Sequence, residues 1–167
     1  MGRKDGDKQS KDGARQRRTI ARNRRATHEF QIVDELEAGI VLMGTEVKSL
    51  REGRVSLQEA YCVIKGSELF LLRMHIPEYA QGNVHNHETT RDRKLLAKKR
   101  EILKWEKAVR EKGTTLIPLE ILWEGALVKV RVGLARGKKL HDKRQTKREQ
   151  DDRREMDRAV KASRQGD

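Results

Sequence analysis

Apolar residues concentrate between about residues 28 and 134, and their spacing changes from one stretch to the next. The alternation His28-Glu29-Phe30-Gln31-Ile32-Val33-Asp34 predicts a half-buried strand, because a period of two turns one face to a core. After Glu37-Ala38-Gly39, the run Ile40-Val41-Leu42-Met43 predicts a second, more deeply buried strand. Residues 45–53 predict a short helix with Thr45 as N-cap, Val47 and Leu50 turned inward and Gly53 as the stop. Residues 59–64 and 68–74, split by Lys65-Gly66-Ser67, predict a hairpin, and residues 77–87 a loop. In residues 91–112 the positions Leu95, Leu96, Ile102, Leu103 and Val109 fall seven and eight apart, the pattern of one face of a long helix. Two strands, 115–123 and 127–134, follow around Glu124-Gly125-Ala126.

About six strands interrupted by one helix, in a core segment of about 110 residues, suit a small closed or partly open antiparallel barrel of the oligonucleotide-binding type. The fold class expected is therefore mainly β with flanking helices. Three segments follow: 1–22, a basic extension disordered when free; 23–137, the folded domain; and 138–167, a charged tail. The extension has one large apolar residue beyond Met1, Ile20, too little to offset the entropy of ordering. The tail favours helix by propensity but has no apolar stripe, so it is expected to form mainly on a partner.

Charge sharpens this division. Of the net +13, residues 1–25 carry +7, residues 138–167 carry +4 and the middle only +2. Such ends call for a polyanion, because each neutralised phosphate releases counterions. Nothing approaches the ~18 apolar residues of a spanning helix, and the N-terminus lacks the apolar stretch of a secretory leader, so a cytosolic protein without a membrane partner is expected. The lone Cys62 excludes an intramolecular disulfide and four-thiolate zinc sites.

Catalytic chemistry is poorly supported. His85-Asn86-His87-Glu88 could offer metal ligands, but no second acidic or histidine cluster completes a nuclease site. Cys62 reads as a small buried hydrophobe, Ser49, Ser56 and Ser67 lack a nucleophile-elbow context, and no phosphate-cradling glycine loop occurs. The basic residues are more informative: Arg91, Arg93, Lys94, Lys98 and Lys99 crowd the start of the expected helix. Lys129 and Arg131 alternate outward on the last strand, and Arg136, Lys138 and Lys139 leave it. With only six aromatic residues, recognition through RNA backbone and shape fits better than a stacking platform. His141 reads equally as an exposed tail residue or as an imidazole stacking on an unpaired base, with Lys143 and Arg144 for phosphates. A structural ribosomal protein with basic extensions is the alternative from another class, and a metal nuclease using His85 and His87 the third.

Residues 23–30, Asn23-Arg24-Arg25-Ala26-Thr27-His28-Glu29-Phe30, together with Glu37-Ala38-Gly39-Ile40 and Gly44-Thr45-Glu46-Val47-Lys48-Ser49-Leu50-Arg51-Glu52-Gly53, form ordered motifs. Met74-His75-Ile76, Arg91-Asp92-Arg93-Lys94-Leu95-Leu96 and residues 133–144 continue them. In these the chain resembles the SsrA-binding protein family (small protein B) from residue 23 to about 160. The resemblance implies a bacterial adaptor, not an enzyme and without a cofactor, that carries transfer-messenger RNA to ribosomes stalled without a stop codon. It implies that the body binds the tRNA-like domain as a monomer, while the tail enters the vacant mRNA channel and decoding centre and becomes helical there. Elongation factor Tu would be reached only through the charged RNA. By matching position, the RNA-binding face would comprise Asn23, Glu37, Lys48, Arg51, Arg91, Arg93, Lys94, Leu96, Lys129 and Arg131. Gly137, Lys138, Lys139, His141, Asp142, Lys143 and Arg144 would form the decoding-centre segment, with His141 stacking on a small-subunit rRNA base. Thr27, Phe30 and Glu88-Thr89-Thr90 depart from the family pattern.

Overall fold

The computed structural model describes residues 16–82, 86–111 and 113–164. Among them the order is β1 (Arg17–Arg22), α1 (Arg24–Glu29), β2 (Phe30–Ile40), α2 (Gly44–Arg51), β3 (Tyr61–Lys65) and β4 (Glu68–Leu72). β5 (Arg93–Leu96), α3 (Lys99–Val109), β6 (Thr114–Glu124), β7 (Leu127–Gly137) and α4 (Leu140–Arg164) complete it. The pairings β6–β3–β4–β5–β2–β7 are antiparallel and β7 returns to β6, so the sheet closes into a ring. The mainly-β class with flanking helices is as expected.

β6 organises the ring because three strands share it. One edge is taken by β7; the other is split, with β3 at Leu116 and β1 from Glu120 to Glu124. A register shift between Pro118 and Glu120 switches which positions face inward. Leu116 before it, and Ile121 and Trp123 after it, join the main core. Ile117 and Leu119 pack outward against Ala26 of α1, with Ala135 of β7. A proline that cannot donate to the ladder is tolerated at such a bulge.

Several expectations are corrected. The strand expected at 28–34 runs on to Ile40 as β2, with a register shift between Ile32 and Asp34, while Val41-Leu42-Met43, expected in a second and more deeply buried strand, lie outside any strand with Val41 and Met43 exposed. His28 and Glu29 close helix α1 instead, because Asn23 caps it: its Oδ1 accepts from the Ala26 N–H at 3.2 Å. The long helix expected at 91–112 divides into β5 and α3; Leu95 is buried in the sheet, and Trp105 joins Ile102 as the buried face of α3. Residues 17–22, expected to be disordered, form β1, while residues 1–15 of that extension lie outside the described residues. The strand holds through polar partners: Arg17 Nη2 donates to Glu124 Oε1 at 2.6 Å, Arg22 Nε to Glu120 Oε1 at 3.2 Å, and the Thr19 hydroxyl to Glu120. Residues 140–164 of the tail form helix α4. The β3–β4 hairpin is as expected, with Gly66 and Ser67 both at positive φ (57° and 60°), the backbone that a two-residue hairpin turn requires.

One buried charge cluster ties α2 to the β5 side of the ring. Glu46 is 0% exposed and accepts from Arg91 Nη2 at 2.6 Å, Arg93 Nε at 2.8 Å and the Met43 N–H at 2.7 Å. Arg93, also 0% exposed, spends its remaining donors on Met74 O (2.6 Å), Arg91 O (3.0 Å) and Thr89 O (3.1 Å). Burial alone would raise the Glu46 carboxyl, but the Arg91 hydrogen bond, the Met43 N–H and Arg93 outweigh it and hold it below the ordinary glutamate range. A carboxylate depressed by folding contributes stability above its unfolded value and loses it as pH falls through the folded one. Resistance to urea unfolding should therefore fall progressively below about pH 4.5, the ordinary glutamate value. Glu46→Gln should cost about 3–5 kcal/mol at neutral pH, because it leaves Arg93 buried without a counter-charge; a loss under 1 kcal/mol would contradict this account.

Candidate nucleic-acid interface

Three strands bring distant residues onto one outward patch. Along β2, Leu36 and Ala38 point into the core, which turns Glu37 and Gly39 outward. Gly39 pairs with Leu96 of β5 on one side and with Lys129 of β7 on the other. A side chain at Gly39 would put its Cβ 3.4 Å from Leu96 Cβ, so the glycine leaves the leucine free to lie across the sheet. Leu96 is 54% exposed. Between it and Lys129 runs an apolar groove of about 390 Å³ whose walls include Ile40, Val47, Trp123 and Leu127. An apolar slot beside a cation accepts a base face with its phosphate, and it is the most distinctive surface on the described residues.

The other expected site residues divide. Arg51 lies beside the groove, in a recess that shares Trp123 and Ala126 with it. Lys48 stands on the outer side of α2, its Nζ 5.3 Å from the centre of the Tyr79 ring. Arg131 donates to Glu120 Oε2 at 2.6 Å and lies 3.6 Å from Glu35, so its charge is engaged within the sheet. Lys94 pairs with Glu68. Arg91 reaches the surface only partly, and Arg93 not at all: the cation expected on the RNA face holds Glu46 instead. Asn23 stands apart from the patch, capping α1 and donating from Nδ2 to Pro118 O at 3.1 Å. Glu37 is held by Arg17 at 3.2 Å.

The sequence reading missed Gln16 and Arg18, which also line the recess, and Trp123 as a wall as well as a core residue. The signal for the first two was Thr19-Ile20-Ala21, a short β-prone run easily lost among the basic residues.

At the opposite end, the tail departs from a fixed point. Gly137 closes β7 against Phe30. The Lys138 N–H donates to Glu29 O at 3.0 Å and its Nζ to Thr27 O at 2.9 Å, so one lysine satisfies two carbonyls at the C-terminal end of α1. Lys139 is exposed; α4 begins at Leu140, with Asp142 in its first turn, where a carboxylate suits the helix dipole. Arg144 is exposed, while the side chains of His141 and Lys143 lie outside the described residues. His85 lies outside the described residues, and buried His87 has Nδ1 2.9 Å from Thr45 Oγ1 and Nε2 2.9 Å from Ile76 O. No group of three potential ligands occurs among the described residues, and no helix there is long and apolar enough to cross a membrane.

The "SmpB protein" family model matches residues 20–162. The chain belongs to the SmpB family. It is 50% identical over 139 residues to the SsrA-binding protein of Protochlamydia amoebophila (strain UWE25), covering 83% of this chain and 91% of that one. With the SsrA-binding protein of Carboxydothermus hydrogenoformans it shares 49% over 140 residues, 84% and 94% of the two chains. A solved structure described as "tmRNA-SmpB: a journey to the center of the bacterial ribosome" superposes with a TM-score of 0.61 at 44% identity, over 72% of this chain and 85% of that chain. For this SmpB-family chain the Lys138 contacts make a structural prediction. Spin labels on Lys65→Cys and Asp151→Cys should give a narrow body-to-tail distance distribution that Lys138→Met broadens and Lys138→Arg largely keeps. Cys62 is buried, with its thiol pushed up by desolvation, and should stay unlabelled. Equal widths with and without the lysine would remove this role.

Proposed function

We propose that this chain is an RNA-binding adaptor of trans-translation. The body holds the tRNA-like domain of transfer-messenger RNA and brings it to a stalled ribosome, while the tail occupies the empty mRNA channel and decoding centre of the small subunit. The observation that carries this is the convergence of Leu96, Gly39 and Lys129, from three strands, on one apolar and cationic groove. Leu96 and Lys129 of that patch are among the residues that the family resemblance marks for RNA, and a 44% identical neighbour is described as "tmRNA-SmpB: a journey to the center of the bacterial ribosome". The long charged helix α4 supplies the second requirement, a basic arm that follows from the body at one end.

On this reading the protein works in the cytoplasm as a monomer and catalyses nothing. It recognises and positions, elongation factor Tu meets it only through the charged RNA, and the ribosome forms the peptide bond. His141, Lys143 and Arg144 would meet rRNA in the decoding centre, with His141 stacking on a base. Truncation after Gly137 should leave binding to the tRNA-like domain unchanged and abolish tagging of stalled peptides in a reconstituted translation assay; full-rate tagging by the truncated protein would overturn the role given to the tail. Lys129→Gln should weaken RNA binding several-fold with α4 intact, and the affinity of the wild type should fall steeply with salt.

A further inference from the structure

The N-terminal strand builds a recess of whose lining the family reading assigns Arg51 alone. Arg18 of β1 stands directly opposite Trp123 in the β1–β6 ladder. Beside them lies a recess of about 450 Å³ lined by Gln16, Arg18, Arg51, Trp123, Gly125 and Ala126. None of these six is acidic. The strand treats its arginines unequally: Arg17 and Arg22 are paired with Glu124 and Glu120, whereas Arg18 has no carboxylate within 4.0 Å among the described residues, and neither has Arg51 across the recess. Gln16 is held in place by its carbonyl, which accepts from the Gly125 N–H at 3.0 Å.

The indole adds an independent observation. Trp123 is 8% exposed and its Nε1–H has no hydrogen-bond partner among the described residues, while the Nε1 of Trp105 donates to Asp34 at 3.0 Å. Trp123 and Ala126 also line the Leu96–Lys129 groove, so recess and groove share a wall. A chain of nucleotides lying in the groove would pass on to a recess lined by two guanidiniums, those of Arg18 and Arg51, with no carboxylate partner among the described residues. Their forked donors match phosphate oxygens, and the absence of a competing carboxylate in the lining leaves both charges to the ligand.

We propose that Gln16, Arg18 and Arg51 form a phosphate subsite for the ribose–phosphate backbone of the RNA held in the groove, so that the N-terminal strand is part of the RNA-binding surface. This rests on the RNA-binding reading given above. Arg18 is exposed and outside every ion pair of the sheet, so its replacement should leave the fold and its melting temperature unchanged.

The test uses the full-length protein and RNA of the tRNA-like domain, titrated at several salt concentrations. Arg18→Gln should bind about fivefold or more weakly, and the slope of log affinity against log salt should fall by about 1, as expected for one lost phosphate contact. Arg18→Lys should keep most of the slope. The two tryptophans give two indole N–H signals by NMR. That of Trp123 should shift on RNA addition while that of Trp105 stays, and millimolar inorganic phosphate alone should leave both in place. If Arg18→Gln binds as the wild type with an unchanged slope while Lys129→Gln is weakened, the subsite is overturned and the RNA reading stands. If both variants bind as the wild type, the groove is overturned together with the subsite, and if the wild type itself does not bind this RNA, the RNA reading falls. A Trp123 shift saturated by inorganic phosphate and absent with RNA would make the recess a site for free anions and overturn the proposal.

Discussion

A single carboxylate, that of Glu46, sets the geometry on which the Leu96–Lys129 groove depends. It is fully buried, and its two guanidinium partners come from the segment that leads into β5. Its own helix, α2, contributes Val47 to one wall of the groove, while β5 contributes Leu96 to the other. The distance between those walls is therefore fixed by an ion cluster, not by side chains that could slide. Such a cluster adds little net stability over a well-packed apolar core, because desolvating the charges offsets most of their attraction. It does penalise any arrangement in which one charge stays buried alone. Directional bonds from Arg93 to Met74, Thr89 and Arg91 carry the same constraint into the loop before β5.

The second constraint is the shared edge of β6. Because β3 and β1 divide one side of it, the ring can close and still leave space for an added strand. That strand pairs residues about a hundred positions apart, Arg17 with Glu124 and Arg22 with Glu120. Its grip depends on Glu120 and Glu124 as much as on apolar burial. Composition misjudged it for that reason: residues 17–22 contain little to bury, and the carboxylates that hold them lie far along the chain.

The same logic explains which other features could be read from the residues. The hairpins were legible because a glycine turn and alternating flanks are local signals. α3 and β5 were not separable by spacing, since Leu95 and Ile102 are seven apart whether or not a strand intervenes; pairing with β4 and β2 decides the matter. Asn23 was noticed, but its capping of α1 was not, and the helix was lost in an alternation that looked like a strand. For the candidate interface, ordered motifs pointed to Glu37, Leu96 and Lys129, although only the sheet register places Gly39 between the latter two. Charge alone could not separate Arg93, which is sealed in the core, from Arg18, which is exposed. A guanidinium has the same formal charge in either place, and only its partners distinguish the roles.

Lys138 has a mechanical consequence. Helix α4 contains 25 residues, which at about 1.5 Å of rise each make a rod of roughly 37 Å. The lysine joins its root to α1, itself six residues long and fastened to β6 through Asn23. Angular error at such a root is magnified along the rod: about 10° there displaces the far end by about 6 Å, more than one helical turn. Two hydrogen bonds at the hinge thus limit how widely the tip can wander, and the search for a narrow channel begins from a cone of directions already restricted by the body.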